Sequence, residues 1–109
     1  MFRLSLAGWR ILGWRVQTSA GELDLIAARG RTLAFVEVKQ RAGIDAGLHA
    51  LAPRQRDRLL RAAALWRARH RHLHRLTPRF DVMIIRPWRW PVWLIGAFDA
   101  DVPAGRDLM

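Results

Sequence analysis

Glu22-Leu23-Asp24-Leu25-Ile26-Ala27-Ala28-Arg29-Gly30-Arg31-Thr32-Leu33-Ala34-Phe35-Val36-Glu37-Val38-Lys39 (residues 22–39) decides how the rest of this chain is read. Two runs rich in β-branched and aliphatic residues flank Arg29-Gly30, a tight-turn signal, so the stretch reads as a β-hairpin. If Arg29-Gly30 is a two-residue loop, Ala28 pairs with Arg31, Asp24 lies opposite Phe35 and Glu22 lies opposite Glu37. Side chains alternate faces along a strand, so Glu22, Asp24, Glu37 and Lys39 then project from one face. Leu23, Leu25, Ala34, Val36 and Val38 make the other face wholly apolar. Asp24 and Glu37 become diagonal neighbours about 7–8 Å apart, near enough for two carboxylates to share one ion. Glu22 opposite Glu37 would destabilise the sheet unless a cation, a Lys or solvent intervenes.

Composition sharpens the interest of this window. The chain has 19 basic residues, of which Lys39 is the sole lysine, and its only two glutamates are Glu22 and Glu37. Everywhere else a positive charge is written as Arg, a planar and permanently charged fork. Lys is a compact point charge that can approach a phosphate or a water, so a single Lys beside two acids points to chemistry that Arg cannot supply.

With 109 residues and 51% hydrophobic content, the chain suits one domain with one core. The division expected is a domain over residues 1–98 and a polar tail over 99–109. No run of about 20 apolar residues supports a spanning helix, and the N-terminus does not read as a signal peptide. The expected location is cytoplasmic. Without cysteine, neither a disulfide framework nor a thiolate metal site can form, so any metal is held by oxygen or imidazole. A formal charge of +10 makes nucleic acid the leading partner, with an anionic membrane surface second.

Outward from the hairpin, residues 9–18 read as a first strand that Gly13 either weakens or bulges, followed by a turn at Ser19-Ala20-Gly21. Residues 41–51, with two glycines, read as a connection. Pro53 suits a helix start, and the helix expected over 53–72 buries Leu59, Ala62, Ala63, Trp66 and Leu73. Arg54, Arg58 and Arg61 form one basic stripe along it, and Arg67, Arg71 and Arg75 another. These are either a solvated face or a phosphate-tracking surface. His70, His72 and His74 do not have metal-site spacing, since only His70 and His74 share a helical face, and a basic or stacking role is preferred. After a break at Thr77-Pro78, residues 80–85 read as a central strand. Trp88 and Trp90, interleaved with Arg89, could stack on bases or lie at a membrane interface. The preferred reading of Pro87–Pro91 is a turn feeding a fifth strand over 92–98.

Two carboxylates on a rigid sheet suit Mg²⁺ or Mn²⁺, which take oxygen ligands and retain waters. A nearby lysine can position such a water or stabilise developing charge.

The order Gly21-Glu22-Leu23-Asp24-Leu25-Ile26-Ala27, Phe35-Val36-Glu37-Val38-Lys39-Gln40-Arg41, Pro53-Arg54, Arg79-Phe80-Asp81-Val82 and Ala97-Phe98 resembles the YraN-like family of small bacterial proteins. That resemblance implies an α/β, restriction-endonuclease-like fold, with a mixed sheet of about five strands and a flanking basic helix, and a relationship to archaeal Holliday-junction resolvases. It further implies a D…E-x-K nuclease site, with Asp24 and Glu37 as ligands of Mg²⁺ or Mn²⁺ and Lys39 as the catalytic lysine. Glu22 belongs to the same motif. The partner implied is DNA, branched structures included, contacted through Arg41, Arg54, Arg58 and Arg61; the alternative is a nucleic-acid-binding module without catalysis. The sequence departs from the family pattern at three places. Residues 1–7 lack the acid expected in a first helix, which is then shortened or missing. Gln55 stands where a Lys often follows Pro-Arg, and Trp93-Leu94-Ile95 is more apolar than usual. A shortened first helix predicts an uncovered apolar sheet face, so that either the chain is abbreviated at its start or that surface is covered in a homodimer.

Overall fold

The computed structural model describes residues 8–40 and 53–98. Three strands, β1 (Arg10–Thr18), β2 (Gly21–Arg29) and β3 (Thr32–Gln40), are followed by helix α1 (Pro53–Ala68) and a 3₁₀ turn (Arg71–Leu73), then β4 (Thr77–Ile85) and β5 (Val92–Phe98). The strands form one sheet in the order β1-β2-β3-β4-β5. Pairing is antiparallel except between β3 and β4, which run parallel because α1 carries the chain back across the sheet. The α/β mixed sheet of five strands expected from the sequence is therefore what the chain forms. Arg41, the expectation of a shortened or missing first helix in residues 1–7, the 41–51 connection and the 99–109 tail lie outside the described residues.

The hairpin forms in a register one step from the expected one. Arg29 pairs with Thr32 and Leu25 with Val36, so the turn is Gly30-Arg31. Gly30 takes φ +58 at the first central position, a conformation that Arg29 would otherwise have had to adopt. Each strand shifts by one residue, so the side chains sharing a face stay together. Asp24, however, moves from opposite Phe35 to the rung opposite Glu37. Leu23 departs from the expected face and joins the helix-side core. Regular β2–β3 pairing ends at Leu25–Val36, while β2 stays paired with β1 as far as Gly21. Arg15, with φ +52 in the neighbouring strand, adds to the irregularity.

The bulge expected at Gly13 is present as a register shift between Ile11 and Gly13. A Cβ there would lie 2.8 Å from Val16 Cγ2 and 3.1 Å from Ile26 Cδ1, so no larger residue fits without movement.

On one face of the sheet, Ile26, Leu33, Phe35 and Phe80 pack against Leu59, Ala62, Ala63 and Trp66 of α1. Phe35 stacks on Phe80 at 5.5 Å and meets Trp66 edge-on at 5.9 Å. The helix ends at Ala68, earlier than expected, which leaves Arg71 and Arg75 outside it. Histidines close its last turn: a ring nitrogen of His70 hydrogen-bonds the Trp66 carbonyl at 2.7 Å and one of His74 the Arg67 carbonyl at 2.8 Å. His70 also stacks on Trp66, with centroids 3.8 Å apart. These rings serve the helix end.

The second face holds Trp9, Leu25, Ala27, Ala34, Val36 and Met83. Leu25 and Val36 are 2% exposed and Ala34 is 0% exposed, so these residues of the second face are covered. Strand β4 starts at Thr77, earlier than expected, and contains Pro78. Pro78 is tolerated because β5 pairs only as far as Phe80–Phe98, which leaves Pro78 a single described neighbour strand.

Candidate active site at one end of the sheet

Strand direction alone gathers the acids. Glu22 and Asp24 open β2, while Glu37 and Lys39 close β3, and antiparallel pairing brings those two ends together. Where the backbone ladder stops, the Asp24 side chain continues it: the Val38 N–H donates to Asp24 Oδ2 at 2.9 Å. Residues two apart on β3 share a face, and Lys39 Nζ lies 3.0 Å from Glu37 Oε2. The two side chains are only 14% and 11% exposed, so this ion pair is less screened than a surface pair.

Glu37 titrates above the ordinary glutamate value. Burial is the largest cause; the Lys39 hydrogen bond and charge pull the other way, and the neighbouring Asp24 carboxylate pushes the value up again. The folded protein thus holds the Glu37 proton more tightly than the unfolded chain does. The resulting stabilisation is complete below the unfolded value near 4.5 and is lost as pH rises through the higher folded value. In metal-free buffer, the stability of the wild type should therefore fall relative to Glu37→Gln as pH climbs from about 4.5. Urea titrations of both proteins across a pH series check this, and a constant difference would refute it.

A cleft of about 220 Å³ opens over these groups, lined by Gly21, Glu22, Asp24 and Glu37 from the hairpin and by Gln55, Arg58 and Leu59 from α1. Gly21 has φ +145, and a Cβ there would come within 3.0 Å of Arg58 Cδ. Only glycine lets the Arg58 stem lie this close to the β2 backbone. Glu22 accepts a 2.6 Å hydrogen bond from Gln17 Nε2 and lies 3.9 Å from Arg15 Nε. The second contact is exposed and contributes little. Arg54 and Arg61 are exposed on α1 and do not line the cleft.

The donor set is suited to a hard divalent cation. Its charged donors are the Asp24 and Glu37 carboxylates, oxygen ligands of the kind such an ion takes, and with Lys39 they sum to one negative charge. Among the described residues no group of three or more His, Cys, Asp or Glu side chains is arranged around a common metal position. A bound ion would take two protein carboxylates, with waters filling its remaining positions.

Asp81, singled out in the sequence only as part of the family motif, is 0% exposed on the opposite face of the sheet. Its carboxylate accepts Arg79 Nε at 3.0 Å and Nη2 at 2.9 Å, Trp93 Nε1 at 2.8 Å and the Gly96 N–H at 2.8 Å. Arg79 in turn lies 5.3 Å over the Trp9 ring. The available signal was an acid in an otherwise apolar strand, two residues after an Arg, because such an acid needs buried partners.

Fold and cleft together define a small α/β protein that presents paired carboxylates and a lysine on adjacent strands beneath a basic helix. Residues 2–85 match the model of the uncharacterised protein family UPF0102, and the chain belongs to that family, the one to which the YraN-like motifs pointed. It is 49% identical over 84 residues to a UPF0102 protein of Maricaulis maris, covering 77% of this chain and 66% of that protein. It is 50% identical over 95 residues to one of Parvibaculum lavamentivorans, covering 87% and 71%. With one of Methylorubrum populi it shares 46% identity over 99 residues, covering 91% and 79%.

Proposed function

We propose that the chain is a metal-dependent phosphodiesterase acting on nucleic acid, with DNA as its substrate. The observation that carries this reading is that Asp24 and Glu37 line a cleft shared with basic α1, while Lys39 Nζ lies 3.0 Å from Glu37 Oε2. The restriction-endonuclease-like resemblance and the +10 charge support it. Asp24 and Glu37 would hold Mg²⁺ or Mn²⁺, which when bound polarises a phosphoryl oxygen and lowers the pKa of a coordinated water. Lys39, anchored by Glu37, orients the attacking water and stabilises charge that develops on the phosphate oxygens. Arg58 reaches the phosphate from the helix side, while Arg54 and Arg61 extend the same positive surface along the strand being cut. Glu22 holds the Gln17 side chain at the β1 margin of the cleft. Cleaving two strands at a branch would require a second copy of the site, which a homodimer provides.

A second reading, a nucleic-acid-binding module without catalysis, draws on the same Lys39–Glu37 contact, which could be a purely structural ion pair. Cleavage separates the two. Linear and branched DNA incubated with Mg²⁺ or Mn²⁺ should be cut by the wild type and cut about 10²-fold more slowly by Lys39→Ala. Equal rates would remove Lys39 from the mechanism.

A further inference from the structure

The β4–β5 connection, Arg86-Pro87-Trp88-Arg89-Trp90-Pro91, has no part in the cleft, yet its side chains are presented at a structural cost. Trp88 is fully exposed and adopts φ +59, and Trp90 is 72% exposed. A bulky residue in the left-handed region is unfavourable by itself. A ring that contacts nothing cannot recover that cost by packing. Strain kept at an exposed aromatic is better accounted for by a ligand than by the fold. The loop is also stiffened: Pro87 and Pro91 bracket it, and Arg86 Nη2 donates to the Trp90 carbonyl at 2.9 Å.

Its position gives this meaning. Parallel pairing sets Lys39 beside Ile84 and Gln40 beside Ile85, so the loop leaves the sheet at the same end as the acidic cleft. With strands about 4.8 Å apart and about 3.3 Å per residue, Trp88 stands no more than about 20 Å from Lys39. That span corresponds to about six stacked bases at ~3.4 Å each. Residues 82–98 contain two arginines and no acid. Rings interleaved with Arg suit unpaired bases, whose faces stack on Trp while the phosphates between them meet guanidinium groups.

We infer that the Trp88–Trp90 loop is a stacking platform for unpaired bases of the strand that enters the cleft. The site thereby selects single-stranded or branched nucleic acid over continuous duplex. This rests on the phosphodiesterase reading for its biological sense, but its test does not require cleavage. Binding of fluorescently labelled single-stranded, branched and fully duplex oligonucleotides is measured in EDTA for the wild type, Trp88→Gly, Trp88→Phe and Trp90→Ser. A ribo-oligonucleotide arm shows whether the 2′-hydroxyl matters. Trp88→Gly keeps the left-handed backbone and removes only the ring, so folding is retained and the melting temperature should rise.

The expected result is about tenfold weaker binding of single-stranded and branched probes by Trp88→Gly, with duplex binding within twofold of wild type and Trp88→Phe close to wild type. Equal loss on all three probes, no loss on any, or failure of the wild type to bind single strands overturns the inference. So does a tryptophan-dependent affinity for anionic vesicles that replaces the oligonucleotide effect. If the loop behaves as expected and no protein cleaves DNA, the phosphodiesterase reading fails alone. If cleavage proceeds and Trp88→Gly cuts branched and duplex DNA as the wild type does, the loop inference fails alone.

Discussion

Asp81→Ala should cost about 3–5 kcal/mol and leave little folded protein at 37 °C. Four donors converge on this one carboxylate: Nε and Nη2 of Arg79, the Trp93 indole and the Gly96 amide. Removing it takes the shared acceptor from a guanidinium that is 27% exposed and from two N–H groups around a fully buried carboxylate position, and each donor left uncompensated carries its own desolvation cost. The sheet would also lose its local geometry. Pairing between β4 and β5 shifts register between Phe80 and Val82, and at that step the Asp81 side chain takes the Gly96 N–H in place of a backbone carbonyl. Gly96 has φ +62, so the carboxylate also pins the one residue that lets β5 bulge. Asp81→Asn should be intermediate, because its amide keeps one accepting oxygen but turns two further donors toward Arg79 and Trp93. Urea midpoints of the three proteins give the ordering. An alanine variant within 1 kcal/mol of the wild type would mean that the network adds nothing to stability.

Asp81 also marks where sequence reading stopped. Strand alternation is a local property, so the five strands, the Gly13 bulge and the gathering of Glu22, Asp24, Glu37 and Lys39 could be read from spacing alone. The turn was misplaced by one residue because Arg29-Gly30 and Gly30-Arg31 both contain the required glycine, and only the pairing reveals which position needs positive φ. That small error decided whether Asp24 lies diagonal to Glu37 or opposite it. Leu23 joins the helix-side core past the last β2–β3 rung, a departure from simple alternation that residue spacing does not announce. Contacts between distant segments were the least legible. Nothing local in Gly21 announces that the Arg58 stem will pack on it, nor in Trp93 that its indole will find Asp81.

The second large effect expected is at Asp24, where stability and function should respond in opposite directions. Asp24→Asn preserves volume and an oxygen able to accept the Val38 N–H now held at 2.9 Å. It removes a negative charge that helps push Glu37 above its ordinary pKa. In metal-free buffer the variant should therefore be at least as stable as the wild type, and the Glu37 carboxyl should titrate closer to the ordinary glutamate value. Loss of like-charge repulsion in a buried cleft offsets whatever the amide fails to reproduce. Metal binding depends on that same charge. An amide oxygen is a much weaker partner for Mg²⁺ or Mn²⁺ than a carboxylate, and with only Glu37 and waters remaining the ion should be held poorly. On the proposed chemistry, Mn²⁺ affinity should fall below detection by calorimetry and cleavage by about 10³-fold, the equivalent of several kcal/mol of transition-state stabilisation. Thermal melts in EDTA and in Mn²⁺ make the opposition visible in a single experiment. The wild type gains in melting temperature when Mn²⁺ is added and Asp24→Asn does not. A variant that still gains as much as the wild type would take Asp24 out of any metal site, and the paired carboxylates would then be a structural feature of the hairpin.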